Sequence, residues 1–385
     1  MSDTIMTATN LASAFSEQFS HEAEGHVSAP GRVNLIGEFT DYNNGFVLPA
    51  ALNFRTHALF SRRDDSLFEV RSLNFPGEVD RFDVTQPVAK GESQWGNYIR
   101  AVVFVLKRAG YNFSGMNILI HGNVPVGAGL SSSAALEVAV GGAISTAFEL
   151  NISKQDLALL GQQAENDFMD CQCGIMDQLV SAKGEKNAAL LIDCDSLETR
   201  PVAIPEHLSL VVIDSNHPHS LVDTEYNQRR IDCEQAAEKM GVANLRQANL
   251  ELLMTHKADL SSNEFKRAHH VITENTRVHN TIQAFQDNDM NSLREQMEAS
   301  HNSLRDDFEV TVPATDGLVE IVKAALAGRG AVRMTGGGFG GAIVALCEAD
   351  DVAVIRAAVD AEYEKRFNLV AKVYVCHPDA GYDGY

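Results

Sequence analysis

The sequence lacks several features that would place a protein outside the cytoplasm. It has no apolar run near the roughly 20 residues that a membrane-spanning helix needs. Its first residues, MSDTIMTATN, lack the basic start and apolar core of a secretory signal. Its six cysteines have no framework-like spacing, and the Cys171-x-Cys173 pair has no second pair at zinc spacing. These absences predict a cytoplasmic protein with free thiols.

Positive charge is also scarce. The chain has 31 Lys and Arg against 52 Asp and Glu, a formal net charge of −21. A surface of this sign repels nucleic acid and anionic membranes, so we expect neither as a partner. Solubility is the simplest role for such a charge. An anionic small substrate would need a local positive pocket or a metal ion.

The length of 385 residues suits two domains, each able to bury its own core. The segment from Arg200 to His207 contains two prolines and is the predicted boundary, which gives domains of residues 1–205 and 206–385. Strands and helices are intermixed, and two predicted strands flank a second glycine run, Gly336 to Gly341, as in a hairpin. This pattern predicts an α+β fold and not a doubly wound sheet.

A glycine-rich stretch from Pro125 to Ala134, PVGAGLSSSA, separates a predicted strand at Met116 to His121 from a predicted helix at Ala134 to Phe148. Glycines allow close backbone approach, and a helix N-terminus favours negative charge, so the stretch can bind an anion. It is neither a Walker motif nor a dinucleotide fingerprint. The alternative interpretation is a tight turn with a serine N-cap.

Charged residues stand among apolar ones in a second motif, Ala29 to Gly45, APGRVNLIGEFTDYNNG. Arg32, Glu38 and Asp41 would be costly to bury unless a polar partner meets them, which favours a functional site. A surface turn with an Arg–Glu salt bridge is the alternative interpretation.

Two further carboxylates occur in the first half of the chain. Glu165 lies at the edge of the apolar stripe of a helix that begins with the capping box Ser153 to Asp156, a position that is normally solvated. Asp177 stands between apolar residues in CGIMDQL, where a buried carboxylate requires either a polar partner or a functional role. It could instead be the N-cap of the helix that follows. At the N-terminus, Leu11, Phe15 and Phe19 predict an amphipathic helix within residues 1–24 that packs on the body.

Three motifs in the order GRVNLIGEFTDYNNG, PVGAGLSSSA and RMTGGGFGG look like the three signatures of the GHMP small-molecule kinases. The first of them, with CGIMDQ at 173–178 and EYNQRR at 225–230, resembles the bacterial galactokinases. The resemblance spans residues 26 to 376. It implies an N-terminal α/β domain, a ferredoxin-like C-terminal domain and an active site in the cleft between them.

The resemblance also implies an activity. The γ-phosphate of ATP would pass to the C1 hydroxyl of D-galactose, giving galactose 1-phosphate and ADP, as in the Leloir pathway of galactose catabolism. Mg²⁺ would accompany the nucleotide, which would supply positive charge that the acidic chain lacks. A monomer is the default assembly, because no long apolar helix face is left exposed.

Residue roles follow from the same resemblance. Asp177 would be the catalytic base, with Arg32 orienting it and steadying the developing charge. Ser133 and Glu165 would hold Mg²⁺, a pair of oxygen ligands that suits this ion. The sugar would contact Glu38, Phe39, Thr40, Asp41, Gly174 and Tyr226. ATP would contact Ser72, Gly127, Ala128, Gly129, Leu130, Ser131, Ser132 and Ser133.

One position departs from the family motif, which usually has histidine where this chain has Phe39. Phenylalanine can neither donate nor accept a hydrogen bond. Our hypothesis is that Phe39 weakens galactose binding or loosens discrimination at the C6 end of the sugar. A kinase for a related sugar such as N-acetylgalactosamine is therefore an alternative. A galactose- and ATP-binding sensor without catalysis is another, although Asp177 and Arg32 are both present.

Overall fold

The computed structural model describes residues 8–125, 127–218 and 222–384. The first seven residues of the predicted N-terminal segment and Val126 of the glycine stretch lie outside these ranges. Within them, no helix is long and apolar enough to cross a membrane. All six cysteines are free, which confirms the prediction of unpaired thiols.

The helices and strands alternate irregularly along the chain. The helices are α1 (Ala8–Phe19), α2 (Gln94–Arg108), α3 (Ser132–Ala147), α4 (Lys154–Asp167), α5 (Met176–Lys183), α6 (Val222–Lys239), α7 (Leu250–Thr255), α8 (Ser262–Asp287), α9 (Met290–Asp306), α10 (Pro313–Leu326) and α11 (Asp351–Phe367). The strands are β1 (Gly25–Asn34), β2 (Phe46–Val47), β3 (Pro49–Arg62), β4 (Leu67–Ser72), β5 (Val79–Asp83), β6 (Met116–Gly122), β7 (Ala188–Asp193), β8 (Thr199–Ala203), β9 (Leu208–Asp214), β10 (Ala331–Thr335), β11 (Ala342–Glu348), β12 (Lys372–Cys376) and β13 (Asp383–Gly384).

The N-terminal half is built on a six-stranded sheet in the order β13-β1-β3-β6-β4-β5, in which β4 and β6 run parallel. Helices α2, α3, α4 and α5 form one apolar core with it, in which Val138 and Ile118 are fully buried. Because α3 starts directly after the glycine stretch, its packing against β1 and β3 places that stretch at one end of the sheet. A small sheet of β2, β7 and β8 lies beside it.

The opposite face of the large sheet is covered by α1. Leu11 and Phe15 are buried there against Leu59 of β3 and Leu119 of β6, which confirms that the N-terminal helix packs on the body. The same contact explains why β6 is buried on both faces, although polar residues alternate with apolar ones along its sequence. We expect Phe15→Ala to cost about 3–5 kcal/mol of folding free energy, as in other cores.

The C-terminal half is an antiparallel sheet in the order β10-β11-β9-β12, packed against helices. Strands β10 and β11 pair across the second glycine run, which confirms the predicted hairpin. Apolar residues of both halves form one cluster, in which Val33 of β1 and Leu35 just after it join Val212 of β9 and Val344 of β11. This shared core brings the Arg32 motif against the C-terminal sheet.

Residues 204–207, within the predicted boundary segment, connect β8 of the small sheet to β9 of the C-terminal sheet. The end of the chain then returns to the first sheet: β13 pairs with β1, Pro378 bridges to Leu52, and Tyr382 packs over Gly142. These last residues therefore lie on the N-terminal domain, although the predicted division assigned them to residues 206–385. Their sequence shows no sign of this because the pairing partner is more than 300 residues away.

Candidate active site

An arginine–aspartate pair joins the Ala29–Gly45 motif to the CGIMDQL segment. Arg32 follows an irregularity in the pairing of β1 with β3, and Asp177 lies in the first turn of α5. The guanidinium donates from Nε to Asp177 Oδ1 at 2.8 Å and from Nη2 to Oδ2 at 2.7 Å. This bidentate geometry fixes the carboxylate in one orientation. Neither alternative interpretation holds, because Arg32 pairs with Asp177 and not Glu38, and Ile175 is the N-cap of α5.

Burial alone would lower the pKa of Arg32, but attraction to Asp177, Glu38 and Asp41 more than offsets it, so the pKa is raised. The guanidinium is therefore a permanent positive charge inside an acidic protein. Its third contact, from Nη1 to the Gly129 carbonyl at 2.7 Å, ties it to the glycine loop.

The glycine loop has the backbone that its sequence predicts. Gly127 has φ 81° and Gly129 has φ 66°, which favour glycine, and Ser131 adopts φ 57°. Ser131 is the N-cap residue of α3, yet its hydroxyl makes no capping bond and donates instead to Asp177 Oδ2 at 2.5 Å. The interpretation as a simple serine N-cap is thus wrong, and the loop is joined to the Arg32–Asp177 pair.

A cavity of about 550 Å³ opens beside this loop. Three predicted ATP contacts, Ser72, Ser132 and Ser133, line it. Sequence reasoning missed its aromatic wall, in which the rings of Phe75 and Trp95 are parallel with centroids 6.0 Å apart. The remaining lining residues include Thr56, Asn74, Glu78, Tyr98, Gly122 and Leu136. The cavity has the size and the flat apolar wall that a purine base needs. The one tryptophan of the chain, at a helix start, was the available signal.

A smaller cavity of about 190 Å³ is lined by the Arg32–Asp177 pair itself. It brings together most of the predicted sugar contacts and one predicted metal ligand. Its lining is Arg32, Glu38, Phe39, Asp41, Glu165, Cys171, Cys173, Gly174, Met176, Asp177, Tyr226, Gly336 and Gly337. A β-carbon on Gly174 would lie 2.0 Å from Asp41 Oδ2, so glycine is required there. The cavity is lined by four carboxylates and one arginine, groups that can hydrogen-bond to a polyhydroxylated ligand.

Glu38 is held from the C-terminal domain. Its Oε1 accepts from the Gly336 backbone N–H at 2.8 Å and from the Thr335 hydroxyl at 3.1 Å. The guanidinium of Arg333, fully buried, lies 3.0 Å from the same oxygen. Gly336 also approaches the loop of Gly129, since a β-carbon on it would lie 3.4 Å from that carbonyl. The third motif therefore closes over both the sugar-side carboxylate and the glycine loop.

Asp41 has unusual electrostatics. Burial, followed by the negative charge of Asp177, raises its pKa from 3.8 to about 6, although the backbone N–H groups of Tyr42 and Met176 donate to it. A carboxylate in this state costs free energy unless a ligand supplies hydrogen-bond donors. Asp41 can therefore accept hydrogen bonds from the hydroxyl groups of a ligand.

Glu165 is buried and not solvated, so the interpretation as an ordinary edge carboxylate is wrong. Burial raises its pKa, and the Ser133 hydroxyl donates to it. A neighbouring buried carboxyl, Glu137, has its pKa raised by burial and by the charge of Glu165. A divalent cation would stabilise the negative charge of these buried carboxyl groups. The oxygens of Ser133 and Glu165 are of the kind that binds Mg²⁺. Among residues 8–125, 127–218 and 222–384, no cluster of three or more His, Cys, Asp or Glu could hold a metal. The remaining ligands of a bound Mg²⁺ would come from phosphate and water.

Two predicted sugar contacts are placed differently from the rest. The Thr40 hydroxyl donates to the carbonyls of Gly37 and Phe46, at 2.9 and 2.6 Å, so it stabilises the turn and does not line the cavity. Phe39 lines the cavity, but its ring is 4% exposed and stacks on Phe308 with centroids 4.5 Å apart. Its φ of 63° turns the side chain toward the C-terminal helices.

The fold, the three loops and the cleft define a GHMP small-molecule kinase. The family model for the N-terminal domain of GHMP kinases matches residues 97–185, and that for the C-terminal domain matches residues 281–365. A mevalonate kinase from Methanococcus jannaschii shares the fold, with a TM-score of 0.64 at 13% identity over 92% of this chain and 98% of its own.

More specific matches follow. The galactokinase galactose-binding signature matches residues 13–62. A galactokinase of Haemophilus influenzae is 46% identical over 97% of this chain and 98% of its own. The crystal structure of Lactococcus lactis galactokinase complexed with galactose superposes with a TM-score of 0.93 at 34% identity, covering 97% of this chain and 99% of that one. The chain therefore belongs to the galactokinase family, and it is an ATP-dependent sugar kinase.

Proposed function

We propose that this protein transfers the γ-phosphate of ATP to the C1 hydroxyl of D-galactose, giving galactose 1-phosphate and ADP. The observation that carries the proposal is the Arg32–Asp177 pair, which lines a sugar-sized cavity and is hydrogen-bonded to the glycine loop beside the nucleotide-sized cavity. A solved relative of the same fold is complexed with galactose.

The sugar would lie in the smaller cavity, with its hydroxyls donating to Asp41 and Glu38. The Gly174 backbone and the Tyr226 ring close the same wall. Because Gly336 and Thr335 hold one oxygen of Glu38, its other oxygen is left to face the ligand. The adenine would lie along Phe75 and Trp95 in the larger cavity, with the phosphates running over the loop of Gly127 to Ser133 toward Asp177.

Asp177 would accept the proton of the sugar hydroxyl as its oxygen attacks the γ-phosphorus. Arg32 holds the carboxylate bidentately and prevents it from turning away, and the Ser131 hydroxyl donates to the same oxygen as Nη2. In-line positioning and neutralisation of charge are the main needs of phosphoryl transfer. Mg²⁺ held by Ser133 and Glu165 would neutralise charge on the β- and γ-phosphates. The Arg32 guanidinium stabilises negative charge that develops on the transferred group.

A kinase for a related sugar is the second candidate, and Phe39 is the observation that favours it. The ring occupies the sugar cavity wall without any hydrogen-bonding atom. A histidine here could bond a sugar hydroxyl, whereas Phe39 only limits the shape of that end of the cavity.

The test is ATP consumption with Mg²⁺ across galactose, 2-deoxygalactose, 6-deoxygalactose, N-acetylgalactosamine and glucose, with the phosphate position of the product read by NMR. Galactose 1-phosphate as the preferred product supports the proposal, and near-equal use of 6-deoxygalactose shows relaxed recognition at C6. Preference for N-acetylgalactosamine would favour the second candidate. Binding of ATP and galactose without turnover on any sugar would contradict both and indicate a sensor.

A further inference from the structure

Two thiols lie in the wall of the sugar cavity without a part in the proposed phosphoryl transfer. Cys171 and Cys173 line it together with Glu165 and Asp177. Both are partly exposed, whereas the other four cysteines of the chain are buried. A small molecule that reaches the sugar cavity therefore reaches these two thiols and no others.

The backbone between them is tightly folded. The Cys173 N–H donates to the Cys171 carbonyl at 2.9 Å, which closes a three-residue turn. Such a turn brings the α-carbons of residues i and i+2 into the range that a disulfide can bridge. The pKa of the Cys173 thiol is raised well above its usual value, first by its interaction with the Cys171 thiol and then by burial, so the two thiols lie close together.

The same short loop connects the two carboxylates that the proposed mechanism needs. It follows α4, whose last turn contains Glu165, and it enters α5 just before Asp177. The Glu165 carbonyl accepts from the Cys171 N–H at 3.1 Å. The Cys173 thiol donates to Asn166 Oδ1, with a distance of 3.6 Å between sulfur and oxygen, on the residue that follows Glu165. A covalent change at either sulfur must alter the wall of the cavity and the position of Glu165.

We propose that Cys171 and Cys173 form a thiol modification site, which low-molecular-weight disulfides such as oxidised glutathione convert to a Cys171–Cys173 disulfide that stops sugar phosphorylation. The Cys171 thiol loses its proton to water and attacks a sulfur of the small disulfide, so that a mixed disulfide forms and one small thiol leaves. The second cysteine then attacks the mixed disulfide and releases the other small thiol. The protein loses two electrons and two protons, and the small disulfide is reduced to two thiols.

In the test, the reduced protein is incubated with oxidised glutathione and then digested with trypsin. The masses of the resulting peptides are measured by mass spectrometry. The peptide between Lys154 and Lys183 contains both thiols and no other cysteine. We expect its mass to fall by about 2 Da, since a disulfide forms with loss of two hydrogens. We expect galactose phosphorylation to fall about tenfold or more, because small misplacements of reacting groups have effects of this size. Dithiothreitol should restore both.

The control is the double variant Cys171→Ser, Cys173→Ser, which retains the four buried cysteines. Its rate, compared with its own untreated rate, should not respond to oxidised glutathione. An equal loss in this variant, the absence of the cross-link in the wild-type peptide, or a cross-linked enzyme with full activity would each overturn the proposal. The activity measurement rests on the proposed function, but the peptide mass does not. A protein without galactokinase activity would still show whether the cross-link forms.

Discussion

Replacing Asp41 by Asn should stabilise the free protein while weakening sugar binding. The pKa of Asp41 is raised from 3.8 to about 6 in the folded protein, so its charged form is disfavoured there. This difference corresponds to about 3 kcal/mol at a pH above both values. Weaker hydrogen bonds from the Tyr42 and Met176 amides to a neutral acceptor would remove about 1 kcal/mol of the gain. We therefore expect Asp41→Asn to raise the unfolding free energy by about 2 kcal/mol at pH 8.

The pH dependence distinguishes this cause from a general packing effect. A carboxyl with a raised pKa binds its proton more tightly in the folded state, so it destabilises the fold progressively as pH rises from about 4 through about 6. The advantage of the variant should therefore be full above pH 7 and shrink as the pH falls towards 4. Denaturant titrations of both proteins at pH 8 and pH 5 measure it. Asp64→Asn, in the exposed turn after β3, is the matched control and should change little at either pH.

The same substitution should raise the KM for galactose by about 10- to 100-fold, since a hydrogen bond to a charged group contributes about 1.5–3 kcal/mol. The KM for ATP should not change. A variant that is less stable than the wild type at pH 8, or a stability difference that is the same at both pH values, would refute the reasoning. Unchanged galactose affinity would remove Asp41 from the sugar site.

Four further substitutions test the rest of the site. Asp177→Asn should lower kcat by about 10³-fold while calorimetry still detects ATP binding, as expected for loss of a general base; substantial turnover would contradict that role. Thr335→Val removes a donor to Glu38 and should raise the galactose KM about fivefold, with Thr335→Ser near wild type; equal effects on the ATP KM would show general disruption instead. Trp95→Ala should raise the KM for ATP about tenfold and leave that for galactose unchanged, because base stacking is lost; the reverse pattern would misplace the nucleotide. Phe39→His should lower the galactose KM and sharpen discrimination against 6-deoxygalactose, and unchanged KM values for both sugars would refute the hypothesis about C6.

Much of the fold could be predicted because its signals are local. The strand, glycine turn and helix around residues 116–148 follow from hydrophobic periodicity and from glycine. The hairpin of β10 and β11 follows in the same way from two apolar runs around the second glycine run. Strand β1 was missed because Gly31, Pro30 and Arg32 interrupt its apolar pattern, and they do so at the irregularity that turns Arg32 toward Asp177.

The candidate site was predicted unevenly for a related reason. Arg32, Glu38, Asp41 and Asp177 stand out in sequence because charged groups among apolar residues need an explanation. The resemblance then suggested their roles. The aromatic wall of Phe75 and Trp95 was not found, since an aromatic residue in the turn after β4 and another at the start of α2 give no local sign that the fold brings their rings together.

The sequence by itself determined the loops with positive φ, the helices that follow them, the family and the list of charged residues that had to find partners. Those properties depend on neighbouring residues or on motif order. Tertiary structure alone decided which charges pair, because Arg32 lies 145 positions from Asp177 and Glu38 lies nearly 300 positions from Gly336. It also decided that Thr40 faces its own turn, that Phe39 stacks on Phe308 and that Cys171 and Cys173 reach the sugar cavity. Such contacts depend on which surfaces of the two domains pack against each other across the shared core. No local sequence pattern determines that packing.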